Sequence, residues 1–250
     1  MFKKTKDIKD NQIIFYPVDE AAGLYVSPPE AASKAVPEWF KSVPKFTDGE
    51  KEFIHYGDRM NLTVKACLPL IDAFTSGYVL RTPCDIQVRW VAGDRYPTFT
   101  WPQKNKHISP PIYMRSIDHD KDTPWKNVEG YEPLMFNFMP SWCIKTPKGY
   151  SSLFIHPINR TDLPFYTIGG VLDTDGWGEA GMHPFLLKKG WSGIIPEGTP
   201  YMQIIPFKRQ DWVSIVDREM TKEYSIAITK RDNKFKDFYK KTHWKIKSYR

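Results

Sequence analysis

Beyond Gly77 the apolar residues recur at every second position, and Pro, Gly or Asp cuts the pattern every four to eight residues. Such alternation sends successive side chains to opposite faces of an extended chain, whereas a helix repeats its faces every ~3.6 residues. Residues 78–81, 84–91, 98–101, 134–139, 142–145, 151–156, 166–173, 183–187, 193–196 and 201–207 all read as strands between turn residues. Ile86, Val88 and Trp90 alternate cleanly with Gln87, Arg89 and Val91. The 21 prolines, against 15 glycines, fit turns and edges better than helix interiors. The expectation is a mainly β chain: an antiparallel β-sandwich, jelly-roll or β-clip-like body. Ile86, Val88, Trp90, Phe154, Val171 and Ile204 should face its interior.

The flanks read differently. Residues 11–18 form a short apolar strand. Ser27-Pro28-Pro29 should open a short helix running to Lys34, with Ser27 as its cap. A single helical turn at 37–41 ends before Pro44, and a helix at 68–74 stops at Gly77. A closing hairpin is expected from 212–216 and 224–229, followed by a terminal helix over 230–242. Residues 104–131, rich in Pro, Asp, Lys and His, read as a long loop. The organisation is one β-rich domain over 1–230, made of a Pro-rich helical preamble (1–77) and a β body (78–230). A basic, aromatic tail follows over 231–250. With 41% hydrophobic and 15% aromatic residues, there is ample side chain for a core.

The net charge of +7 is concentrated at the ends: residues 231–250 carry eight Lys and Arg against two Asp. A basic tail suits an acidic protein partner or nucleic acid, or it is a solvated end. Lys240, Lys241, Trp244, Lys245 and Lys247 are its candidate partner-binding residues, because aromatics among the lysines need a surface to pack on. No apolar run approaches the ~20 residues that span a bilayer, and no apolar stretch follows the N-terminal lysines as in a secretory signal. No membrane association is expected. Cys67, Cys84 and Cys143 are far apart and odd in number, and read as buried thiols in a reduced compartment.

Local signatures of common chemistries are missing. No H-E-x-x-H, H-x-D, G-x-S-x-G or G-x-x-x-x-G-K-[ST] occurs. The acidic run Asp118–Asp122 lacks the glycine and terminal glutamate of a calcium loop. No metal site and no cofactor are expected.

Polar and turn residues crowd into 146–209. Asn159, Arg160 and Asp162 follow one strand, and Asp173, Asp175 and Trp177 follow another. Together they are the candidate ligand-binding set, with Asp173 and Asp175 as the candidate catalytic pair. The same residues also suit tight turns and a charge-assisted network that fixes a strand corner.

The whole chain, through Cys67-Leu68-Pro69-Leu70 to its basic aromatic end, resembles an uncharacterised family of tailed bacteriophages, many from marine hosts. Residues 145–207 also resemble a bacterial family of unknown function, through Thr146-Pro147-x-Gly149-Tyr150, Asn159-Arg160, Gly170-Val171-x-Asp173-x-Asp175 and Gly198-Thr199-Pro200. A fainter resemblance, in the order Pro-x-Gly-Tyr, Gly-Val-x-Asp-x-Asp and Gly-x-x-x-x-Gln-x-Ile, is to the core of dUTPase-like β-clip folds. That resemblance implies Asp173 or Asp175 on a sugar hydroxyl or water, Trp177 stacked on deoxyribose and Gln203 in support. The chain departs from it by lacking the Arg-Ser-Gly phosphate motif and the glycine-rich closing arm. Without them little remains to neutralise a triphosphate.

Two functions follow as expectations. The first is a phage structural or assembly-associated protein in the host cytoplasm or virion, docking through its tail on other phage proteins, its own copies or nucleic acid. The second is a nucleotide-like small-molecule binder or hydrolase built on Asn159, Arg160, Asp173 and Asp175. Convergence of those four on an open pocket would favour the second, and interlocking would favour the first.

Overall fold

The computed structural model describes residues 8–47, 49–50, 52, 54–56, 59–91, 93–94, 96–102, 108–114, 128–177, 181–218, 220–233 and 238–250. The acidic run 118–122, His107, His119 and most of the expected long loop lie outside them, as do Lys234 and Lys236 of the tail.

The preamble already builds part of the body. Strand β1 (Ile14–Pro17) will pair far downstream, and helix α1 (Glu20–Tyr25) follows, its first turn capped by Asp19 on the Ala22 N–H at 2.7 Å. Ser27 caps no helix. Residues 28–34 instead give a short strand β2 (Glu30–Ala31) and a 3-10 turn (Ala32–Ala35) with no side-chain cap. Ala32 N–H donates to Gly77 O, tying the segment to the body rather than to itself. Helix α2 (Glu38–Ser42), the hairpin β3 (His55–Tyr56) and β4 (Arg59–Met60), and helix α3 (Leu68–Thr75) complete the preamble. Gly77, at φ 73°, turns the chain after α3 directly over Ile204, and a Cβ there would sit 1.9 Å from Ile204 O.

The body is mainly β and every recorded strand pair is antiparallel, as the period-two alternation predicts. Its strands are β5 (Tyr78–Arg81), β6 (Ile86–Arg89), β7 (Thr98–Thr100), β8 (Ile112–Met114), β9 (Tyr131–Phe138), β10 (Trp142–Lys145), β11 (Tyr150–Ile155) and β12 (Phe165–Thr167). They continue with β13 (Gly170–Leu172), β14 (His183–Lys188), β15 (Gly193–Ile195) and β16 (Pro200–Lys208). A five-stranded sheet runs β13-β11-β16-β5-β2, and a four-stranded sheet runs β12-β14-β9-β8. The strands β15-β6-β7 and β1-β10 form smaller sheets, and no barrel closes.

The two larger sheets meet through aromatic rings. Phe138 stacks on Tyr201 at 4.4 Å and on Phe185 at 4.2 Å, and Phe154 lies 5.4 Å from His183. Phe136, Phe165, Ile86, Val88 and Ile204 are fully buried around them. Burial pushes the Tyr201 hydroxyl up in pKa. Trp90 packs half-buried at the margin of this core.

Several expectations need correction. Residues 166–173 are two strands in two sheets, because the chain crosses from the four-stranded to the five-stranded sheet at Ile168-Gly169. Gly169 permits the crossing, since a Cβ there would lie 3.0 Å from Phe154 O. Val171 is 61% exposed, not core. The register Leu153↔Val171 turns it outward and sends Leu172 in, the one-residue choice that period-two patterns leave open on an edge strand. β8 lies inside the expected loop.

The expected hairpin of 212–216 with 224–229 does not form. Both sides of β16 are already taken by β11 and β5, and helix α4 (Thr221–Asn233) replaces the second arm. Ser225 and Thr229 hydroxyls donate back to the carbonyls of Thr221 and Ser225, so these residues serve the helix rather than a strand ladder. Of the expected terminal helix over 230–242, residues 230–233 belong to the end of α4 and 238–242 to helix α5 (Phe238–Thr242), and 234–237 lie outside the described residues. No helix among the described residues is long and apolar enough to cross a membrane.

Candidate functional site

The six candidate ligand residues fall into two corners, at opposite ends of β11. Six residues of strand separate them, about 20 Å.

The first corner lies where β13 leaves the sheet. Asp173-Thr174-Asp175 turns there, with Gly176 and Trp177 N–H both donating to Asp173 O at 3.0 Å. Arg209, the first residue beyond β16, grips this turn. Its Nη1 donates to Asp175 Oδ1 at 3.0 Å and to Tyr150 O at 2.9 Å, and its Nη2 pairs with Asp175 Oδ2. Asp173 lies 3.2 Å from the same guanidinium and accepts from Ser151 Oγ at 2.6 Å. Gly149 N–H adds a bond to Asp175 Oδ2 at 2.7 Å. The Arg209 hydrogen bond, helped by Gly149, holds the Asp175 carboxyl down at about 2. Beneath, the hydroxyls of Thr146, Thr174 and Ser152 form a buried chain at 2.7 and 2.9 Å. Trp177 is exposed and stacks on nothing recorded.

The second corner follows the other end of β11. Asn159 takes a left-handed conformation at φ 61°, which Asn tolerates better than most residues. Arg160 forks onto Asp162 with two bonds of 2.8 Å and reaches Ala35 O at 3.3 Å. Partial burial works to raise the Asp162 pKa, but the Arg160 fork outweighs it and holds it below the ordinary value. His156 accepts from Thr167 N–H through Nδ1 at 3.1 Å, so its Nε2 carries the proton donated to Arg160 O at 3.0 Å. Burial depresses its pKa further than that bond restores it.

Gln203, which the β-clip resemblance places beside a ligand, is buried and braces α3. Its Oε1 accepts from Ile158 N–H at 2.9 Å, and its Nε2 donates to Ala73 O and Ser76 O at 3.0 and 2.6 Å. A groove of about 390 Å³ beside this corner is lined by Arg160, Asp162, Lys188, Trp191, Pro196 and Thr199. Lys188 Nζ, however, already donates to Thr161 O at 2.9 Å.

The candidate set therefore neither converges on one pocket nor interlocks as one network: Arg160 is tied to Asp162, and Asp173 and Asp175 are tied to Arg209. Arg209, which the sequence reading missed, and not Arg160, is the partner of Asp173 and Asp175. No local signal could have shown this, because residues 150 and 209 meet only through the β11–β16 register. Among the described residues no three His, Cys, Asp or Glu side chains come together as metal ligands. Cys67 is exposed, whereas Cys84 and Cys143 are buried.

The tail docks on its own body. Trp244 Nε1 and Lys247 Nζ both donate to Asp72 Oδ2 of α3, at 2.9 and 2.6 Å. Tyr249 meets Tyr78 edge-on at 5.9 Å, and Tyr78 OH donates to Arg250 O at 3.4 Å. Burial, then the neighbouring Tyr249, raises the Tyr78 pKa. Of the five candidate partner-binding residues, Trp244 is half-buried against Asp72, Lys247 bonds Asp72 while remaining exposed, and Lys240, Lys241 and Lys245 are exposed.

An arm leaves the body beyond Arg209, and the chain is bonded to the body again at Trp244. Its first stretch is the apolar sequence Trp212-Val213-Ser214-Ile215-Val216. Trp212, Val213 and Ile215 are each 84% exposed and Val216 83%. Among the described residues no backbone group of 210–216 bonds to another backbone group. The sequence reading assigned this stretch to a hairpin.

No protein-family model and no curated protein matches this sequence.

Proposed function

We propose that this chain is an assembly-associated protein of a tailed phage, present in the host cytoplasm or the virion, whose β body presents an arm to a neighbouring protein. The observation that carries the reading is the strap 212–216, with four large apolar side chains more than four-fifths exposed in a row. Contiguous apolar surface of this kind mostly marks an interaction site. The resemblance to a phage family supports the same reading.

A protein partner accounts for the arm better than a polyanion, because Lys247 already neutralises Asp72 and the apolar strap gives nucleic acid nothing to pair with. The small-molecule alternative loses its basis, since its four residues sit at opposite ends of β11. Quantitative mass spectrometry of purified virions and assembly intermediates is the test. The chain should appear at a fixed copy number, and its absence from every such particle would refute the reading.

A further inference from the structure

We infer that the groove beside the Arg160 corner is a binding site for a small organic carboxylate with a flat apolar body. The site uses that corner alone, without Asp173 or Asp175, and binding there does not depend on the arm or its partner.

Two turns supply the walls. At the end of β14, Trp191 N–H donates to Lys188 O at 3.1 Å, so one tight turn brings both a cation and an indole to the groove. Beyond β15, Thr199 N–H and Oγ1 both donate to Pro196 O, at 3.2 and 2.7 Å, and close the second turn. Trp191, Ile194, Pro164 and Pro196 give the groove its apolar lining, and its volume of about 390 Å³ suits a ligand built on one ring. The indole is in place before any ligand arrives. It lies over Gly193, where a Cβ would sit 2.9 Å from the ring, and Trp191 O accepts from Trp90 Nε1 at 3.2 Å.

Charge selects the ligand class. Among the described residues the charged side chains lining the groove are Arg160, Lys188 and Asp162, an excess of one positive charge. One carboxylate neutralises that excess, whereas a phosphate monoester, at about −2 near neutral pH, overshoots it. The spare donors agree. Arg160 commits three of its five N–H groups to Asp162 and Ala35 O, and Lys188 commits one of its three to Thr161 O. The remaining four have no recorded acceptor among the described residues, and the oxygens of an anion are the acceptors they lack.

The test titrates the isotope-labelled full chain with 3-phenylpropionate, with its neutral amide and with acetate, following the Trp191 indole and Arg160 Nε–H resonances. With 3-phenylpropionate both should shift and saturate. The amide, which lacks the charge, and acetate, which lacks the ring, should each bind roughly tenfold more weakly or worse. Lys188→Met should lose a similar factor and keep its melting temperature, because the Lys188 bond it removes is exposed. His156 supplies an independent readout. Its pKa is lowered mainly by burial, and the Arg160 and Lys188 charges lower it further against the opposing Asp162, so a bound anion should raise it. Equal affinity for carboxylate and amide, an unchanged Kd in Lys188→Met, a His156 titration unmoved by saturating 3-phenylpropionate, or no saturable shift with any of the three overturns the inference.

Discussion

Arg160 and Arg209 are the same device used twice. Each guanidinium forks onto one aspartate and uses a further donor on a backbone carbonyl, Ala35 O or Tyr150 O. Their work is to fix strand corners, and the carboxylates they hold are not available as bases. His156, four residues before Arg160, has a titration that stability should report. It is held neutral, with its pKa below 6.5, mainly by burial. The unfolded chain therefore binds the proton more readily. This residue's contribution is complete above 6.5 and is lost as pH falls from there toward the depressed value. The Asp175 clamp is complete above 3.8 and lost only as pH falls through about 2, so it leaves that window untouched. The melting temperature should decline from about pH 7.5 to about pH 5, and His156→Asn should flatten the decline. An unchanged slope in the variant would remove His156 as the cause.

Among the elements, α3 does the most linking. Gln203 clamps its C-terminal carbonyls to β16, and Asp72 on the same helix receives Trp244 and Lys247 from the chain terminus. The core does not depend on the second contact, whose lysine is 40% exposed. Asp72→Ala should thus change global stability by less than about 1 kcal/mol. It should nevertheless raise hydrogen exchange and proteolysis across α5 and the residues after it, since the Trp244 and Lys247 anchors are lost together. A terminus equally protected in wild type and variant would mean that Asp72 is not the anchor. Trp244 reads from sequence as an anchor for a foreign partner. The structure gives it a partner within the chain, because α3 presents Asp72 to its indole N–H.

At the scale of the molecule, the body should unfold in one calorimetric transition although its strands are divided among several sheets. The stack Phe185–Phe138–Tyr201 ties the four-stranded sheet to the five-stranded one, so neither can lose its partner and keep its core. Two separable transitions would contradict this.

The period-two alternation and its Pro and Gly punctuation determined by themselves that the body is mainly β, and they located most strands within a residue or two. Alternation and turn chemistry are local, and local steric rules act on any chain carrying them. Ile86, Val88, Phe154 and Ile204 are in the core as their alternation requires. Tertiary structure alone decided that Val171 faces out, because an edge strand of three residues can meet its neighbour in either register. It also decided that Asp173 and Asp175 belong to Arg209. Strand order brings residues 150 and 209 side by side, and no spacing along the chain encodes that order. The strap 212–216 has the composition of a strand, and among the described residues it pairs with none. Whether such a segment is buried depends on which sheet edges remain open once all the others have paired.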